Sequence, residues 1–250
     1  MKKIANYLIL TALLASSTLS FGQEIQKKLN PFSKITVSPK INLILEKGTE
    51  ESIRIVYSNI DPGKINVEVE GNKLNVFLDQ ARIVDKRERT DEYDYNSKTS
   101  IYHNAEVTAY VTYTQLKSLE VRGEQQVISR GLLENESFDL KAYGQAEITF
   151  DSLITREFKA VVYGENKIKI KAGKAEHQRY RLYGENKIDT RALTSISVST
   201  SIYGEGRLSV NASDEVRVSA IGEPEVNVTG TSFINKGIII GKAAIRTHNQ

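Results

Sequence analysis

Apolar and polar residues alternate with a period of two through most of this sequence, and in its second half a recurring phrase resets the alternation. Arg-Gly-Glu-Gln-Gln-Val ends at Val127, Tyr-Gly-Gln-Ala-Glu-Ile at Ile148, and Tyr-Gly-Glu-Asn-Lys-Ile at Ile168 and again at Ile188. Tyr-Gly-Glu-Gly-Arg-Leu then ends at Leu208, and Ile-Gly-Glu-Pro-Glu-Val at Val226. The glycines fall at 123, 144, 164, 184, 204 and 222, so the steps are 21, 20, 20, 20 and 18 residues. A period near twenty with small indels is the signature of a solenoid.

Each glycine is preceded by an alternating strand. Two residues before it stand Ala142, Val162, Leu182, Ile202 and Ala220; four before it, Leu140, Ala160, Tyr180, Thr200 and Val218; six before it, Phe138, Phe158, Gln178, Val198 and Val216. Charged residues and serines lie between them, which makes one face dry and one wet. Two residues after the glycine come Gln125, Ala146, Asn166, Asn186, Gly206 and Pro224, residue types that mark a corner. A second short strand begins at Val127, Ile148, Ile168, Ile188, Leu208 and Val226, and a return of about ten residues completes the unit. The expected fold is all-β: a right-handed parallel β-helix with coils of about twenty residues stacked about 4.8 Å apart. One coil alone cannot offset the backbone entropy of ordering it, so the array folds as a unit.

Ahead of the coils, residues 23–121 read as N-terminal strands. Runs at 35–37, 41–45, 53–57, 65–69 and 74–78 alternate and are separated by turn residues, and Gly71-Asn72 is a two-residue hairpin signal. This predicts a cap with antiparallel pairing that shields the edge of the first coil. Residues 82–104 break the alternation with mixed charges and Tyr93, Tyr95 and Tyr102, and read as a loop inserted between strands. Coils and a closing C-terminal cap are expected over 122–250, with Ile234 and Ile238-Ile-Ile240 in a final strand. The expected organisation of 23–250 is one domain.

The start of the chain looks like an export signal. Lys2 and Lys3 precede an apolar run from Ile4 to Leu14, and Ser20-Phe-Gly22 places small residues before a cut ahead of Gln23. The run is too short for a comfortable membrane span, and no later segment reaches eighteen apolar residues. The expected location is therefore exported: periplasm, outer-membrane surface or extracellular. With no cysteine there is no thiolate metal site, disulfide or Cys-linked lipid. The formal charge of +3 falls to about +1 once the two leader lysines are removed, so nothing in it calls for nucleic acid.

Stacked coils turn repeated letters into rows. Tyr143, Tyr163, Tyr183 and Tyr203 make an outward row of rings, either a contact surface for sugar or peptide or a stack that stabilises the array. Tyr93 and Tyr95 in the inserted loop are further contact candidates. Glu165, Glu185, Glu205 and Glu223 make a row of carboxylates beside Lys167, Lys187 and Arg207. Aligned carboxylates are candidates for calcium; the plainer reading is a surface on which the basic row offsets their repulsion, with no metal and no cofactor. Asn166 and Asn186 are expected to form an inward amide ladder at the corner. His103, His177 and His248 lie far apart, and no Ser–His–Asp order, Gly-rich phosphate loop or zinc-protease pattern occurs. Asp151-Ser152-Leu153 resembles a short acceptor triplet for O-glycosylation in Bacteroidota.

From Phe32 onward the sequence resembles the head GIN domain family of auto-transporter adhesins, a domain of unknown function. The likeness rests on Pro31-Phe-Ser-Lys-Ile-Thr-Val37, Val69-Glu-Gly-Asn-Lys-Leu-Asn-Val76, Leu116-Lys-Ser-Leu-Glu-Val-Arg-Gly123, the coil ending at Leu208, and Val218 to Val228. The resemblance implies an exported β-helical protein of Bacteroidota-like bacteria and no established activity. Where the family carries Gly-Ser-Gly turns this chain has Gly-Glu-Asn and Gly-Glu-Gly, so a role resting on those serines does not carry over. The expected function is non-enzymatic and adhesin-like, binding a glycan or an envelope or extracellular protein through an outward ladder. The alternatives are a polysaccharide-active lyase or hydrolase centred on Glu165, Glu185 and Lys187, and a structural spacer.

Overall fold

The repeated phrase does become stacked turns. A computed structural model describes residues 23–84, 87–89 and 98–248, and the expected leader at 1–22 lies outside them. The strands Gln126–Gly144, Glu147–Gly164, Gly173–Gly184, Lys187–Tyr203 and Arg207–Gly222 carry the coils. Pairing between coils is parallel and in register, letter on letter: Tyr143 lies beside Tyr163, Tyr163 beside Tyr183, and Gly144 beside Gly164 and so on to Gly184. The molecule is a β-solenoid of about seven turns.

The inward columns are those of the alternation. Phe138, Phe158, Ala142, Val162, Leu182 and Ile202 are buried in one apolar core that runs the length of the stack. Phe138 and Phe158 stack at 6.2 Å between ring centroids, with Tyr180 edge-on to Phe158 at 5.9 Å. The return, expected as a bare connection, is itself a strand. Residues 132–135 pair with 152–155, 153–155 with 173–175, and 173–175 with 193–195, giving each coil a third side. Backbone groups there would be buried against the neighbouring coils, so they must be paired.

The predicted N-terminal cap is present. Lys34–Val37 pairs in parallel with Ser118–Gly123, and Asn42–Lys47 with 127–130, so this early segment forms the coil beneath the first repeat. Below it, Ile65–Glu70 and Lys73–Leu78 form the antiparallel hairpin that turns at Gly71-Asn72. Ser52–Ser58 runs antiparallel to both Glu106–Tyr113 and Gln23–Lys28. The closing cap expected at the other end is not seen among the described residues. Phe233–Gly241 and Ala244–His248 simply add one more coil in parallel register, each paired on one side only. The inward Ile234 and Ile245 are in consequence only half-buried.

The inserted segment is less irregular than its composition predicts. Arg87–Arg89 and Lys98–Ser100 pair antiparallel, while Tyr93 and Tyr95 lie outside the described residues. Tyr102, read with them as part of the inserted loop, is buried and donates from its hydroxyl to the Asp79 carbonyl at 2.8 Å. It roots the excursion in the core.

One polar cluster sits inside the core. Tyr180 Oη donates to Gln178 Oε1 at 2.5 Å and lies 2.9 Å from Thr190 Oγ1, and Gln178 Nε2 donates to the Leu193 carbonyl at 3.1 Å. Burial pushes the Tyr180 phenol well above its usual range. Tyr180→Phe is expected to cost about 1–2 kcal/mol in urea-induced unfolding, since it removes a donor from a buried network. An unchanged midpoint would show that the cluster is energetically neutral.

Candidate functional site

The corner after each glycine builds the outward ladder. Asn166 and Asn186 point inward there, both fully buried. Asn166 Nδ2 donates to Tyr163 O at 2.8 Å and to Asn186 Oδ1 at 3.0 Å, while its own Oδ1 accepts from Ala146 N at 3.0 Å. Asn186 Nδ2 repeats the bond to Tyr183 O at 2.9 Å, and Gln125 Nε2 does the same to Arg122 O at 2.8 Å. These amides fix the carbonyl of the residue before each glycine, and so fix where that residue's side chain emerges. The predicted amide ladder is thus the support of the tyrosine row.

Tyr143, Tyr163, Tyr183 and Tyr203 stand on one side of the molecule, with ring centroids 5.3, 4.4 and 4.9 Å apart and planes within 7° of parallel. Each neighbouring pair contributes about 0.5–1.5 kcal/mol beyond its area burial. The geometry has a functional corollary. Rings stacked along the solenoid axis spend their faces on one another and present edges and hydroxyls to solvent.

Tyr143 is the exception. Its register partner in the preceding coil is Arg122, whose guanidinium is drawn to Glu120, with Nε to Oε1 at 2.7 Å, and to the Arg82 carbonyl at 3.3 Å. The outer face of Tyr143 therefore borders an open cleft of about 810 Å³, whose other walls include Pro39, Ile83 and Val84. The residue Arg82 is clamped. Its carbonyl also accepts from Ser38 Oγ at 2.6 Å, and its guanidinium lies 4.6 Å from the Phe77 ring centroid. Ile83 and Val84 are held out in solvent, 67% and 73% exposed. Sequence reasoning missed this cleft because its walls come from segments about forty residues apart.

Glu165, Glu185 and Glu205 occupy the corner beside the ladder and are exposed. Among the described residues no group of three or more His, Asp or Glu side chains is placed to hold a metal ion. The basic row does not neutralise them, contrary to expectation. Lys167 Nζ turns to Glu147 of the preceding coil at 2.6 Å, and Arg207 to Glu225 of the following one at 2.7 Å. The hydrogen bond from Lys167 holds the Glu147 carboxyl below its usual range. Glu225 is lowered too, first by Asn227 and then by Arg207 and Arg246.

A second constellation emerges from the stacking. His177 Nδ1 lies 2.8 Å from Ser197 Oγ, and the register places Glu157 on the other side of His177. The twenty-residue period was the signal that joins 177 to 197. Glu157 is turned away, however, with Oε2 on Lys159 Nζ at 2.9 Å and Oε1 3.8 Å from Arg179. No hydrogen bond joins it to His177 among the described residues, so the imidazole lacks an orienting acid.

Fold and surface together define a class: a β-solenoid that displays stacked rows of identical side chains along one side. The chain belongs to the head GIN domain family, described as "Putative auto-transporter adhesin, head GIN domain", which it matches over residues 31–232. Among solved structures it is similar to a protein of Bacteroides fragilis NCTC 9343 described as "a putative adhesin", at TM-score 0.71 and 19% identity, covering 90% of this chain and 96% of that one. A protein of Parabacteroides merdae ATCC 43184 described in the same words gives TM-score 0.66 and 16% identity, with coverage of 90% and 95%. A protein of Parabacteroides distasonis ATCC 8503 named as lipid binding gives 0.62 and 14%, with coverage of 90% and 96%. At these identities the likeness establishes the fold. No curated protein matches the sequence.

Proposed function

We propose that the protein is an exported, non-enzymatic, adhesin-like component of the cell envelope or surface that binds a glycan or protein through the tyrosine side. The observation that carries this reading is the outward row of four stacked tyrosines ending at an open apolar cleft. Stacked rings are held rigid, and rigid tyrosines give contact area at low entropic cost. In this reading 1–22 is a removed leader, 23–250 acts as one domain, and Tyr93 and Tyr95 add contacts from the inserted segment. Family membership supports the adhesin-like role, and no helix among the described residues is long and apolar enough to cross a membrane.

The test is capture of the purified protein on a glycan array and on blotted envelope extract. Tyr143→Ala and Tyr183→Ala are each expected to weaken capture about tenfold. Wild-type-like capture by both variants would remove the tyrosine row from the function. Turnover of an acidic polysaccharide that is abolished by Glu185→Gln would instead establish the enzyme.

A second reading is favoured by the walls of the cleft. Ile83, Val84 and one tyrosine face suit an aliphatic group, and one structural neighbour is named a lipid binding protein. Fatty-acid binding lost in Ile83→Asp would establish it.

A further inference from the structure

The tyrosine row is the middle of a longer apolar stripe. Tyr203 is in register with Ile221, and Ile221 with Ile240, and these isoleucines are 45% and 58% exposed. Six rungs at strand spacing make a stripe about 24 Å long. Its two flanks differ in sign. On the glycine side run the exposed carboxylates of Glu124, Glu165, Glu185, Glu205 and Glu223, and on the other side the exposed Lys141 and Arg181.

None of these seven charges has an ion-pair partner among the described residues. Elsewhere on the surface several charges on neighbouring coils do pair closely: Lys171 with Asp151 at 2.8 Å, Arg156 with Glu136 at 2.7 Å, and Arg130 with Glu46 at 2.7 Å. The exposed apolar stripe is thus bordered by unpaired charge on both sides. At the Tyr183 rung, Glu185 on one border and Arg181 on the other make a self-complementary pair, while the bases of the second border are Lys141 and Arg181 alone.

We infer that the partner of this stripe is a second copy of the same chain, packed stripe on stripe about a two-fold axis that runs along the solenoid. The inference rests on the reading above that the tyrosine side is a binding surface, and it names the occupant. Rotation about that axis keeps each coil at its own height and exchanges the borders. Glu185 of each copy then faces Arg181 of the other, at the same rung as Tyr183, and Gln145 faces Lys141. A two-fold axis across the solenoid would instead set each copy's Glu165, Glu185 and Glu205 against the other's glutamates, which opposes like charges. The contact is isologous and closes at two copies. Tyrosine edges and hydroxyls meet at its centre, where such residues are characteristic of protein interfaces. Both copies keep the same end at the same level, so the contact pairs two solenoids side by side, pointing the same way.

Sedimentation equilibrium of the purified protein over a concentration series, in buffered salt, tests this. The wild type is expected to dimerise, and Glu185→Arg or Arg181→Glu alone to weaken the dimer about tenfold or more. The double exchange, Glu185→Arg with Arg181→Glu, should restore it to within about threefold. Lys169→Glu, a charge change on the neighbouring side, should leave it as it was. A monomer at every concentration up to about 100 µM overturns the inference. So does a dimer indifferent to these exchanges, or one weakened by both that the double variant fails to restore. If the protein is monomeric while Tyr183→Ala still abolishes capture by envelope extract, the tyrosine side keeps its binding role and only self-pairing is lost.

Discussion

Replacing Asn166 with leucine is expected to lower the free energy of unfolding by about 3–5 kcal/mol, among the largest effects of any single substitution at the corner. Leucine has the same branched arrangement of four side-chain heavy atoms and leaves no cavity, so the main loss is polar. It is the loss of three hydrogen bonds that the buried amide makes within its own coil and to the coils on either side: to Tyr163 O, to Asn186 Oδ1 and from Ala146 N. Ala146 N–H would be left without that acceptor inside the stack. Each buried group so stranded costs about 1–3 kcal/mol. Urea titration followed by far-ultraviolet circular dichroism measures the change, and a loss under about 1 kcal/mol would show that water or backbone movement replaces the amide. Because the amide anchors the carbonyl of Tyr163, the same variant should also loosen the ladder, visible as a change in tyrosine fluorescence.

Gly184→Ala is expected to cost about 3 kcal/mol or more. The residue has φ +97°, a conformation that L side chains rarely adopt, and an added Cβ would stand 2.5 Å from the Gly164 carbonyl oxygen. Backbone strain contributes about 1–2 kcal/mol, and forcing two coils apart at a well-packed corner adds about 1–3 kcal/mol. Gly71 is the control, because its φ is +61° but a Cβ there would meet nothing within 4 Å. Gly71→Ala should therefore lose only the strain, about 1 kcal/mol. Equal losses at the two positions would mean that coil spacing at the corner is soft and that glycine recurs there for its torsion alone.

The glycine steps and the inward columns were legible because a solenoid writes the same contact into every turn. Asn166 and Asn186 could be assigned inward from their place after the glycine, and Tyr163 could be set beside Tyr183. The third side of each coil was not legible. Stretches such as Asp151-Ser-Leu-Ile-Thr-Arg156 pair through their backbone while their side chains follow no clear alternation. The partner of Lys167 was misread for a related reason. Glu165 is nearer in sequence, but the corner lies between them, whereas Glu147 is its register neighbour one coil away. The cleft beside Tyr143 was hidden because it forms where the row stops, at Arg122, and no repeat marks an ending. A terminal cap was expected on the physical ground that open edges template aggregation, and among the described residues the last coil keeps its edge.

In-register parallel pairing also makes length a separable property. Every coil offers its successor the same hydrogen-bonding edge and nearly the same columns of side chains, so a duplicated twenty-residue unit has a seat already prepared for it. Each such duplication would lengthen the rod by about 4.8 Å and extend its tyrosine row by one ring, leaving the N-terminal strands as they are. A lineage could in this way adjust how far the protein reaches from its base by whole increments, without redesigning any contact.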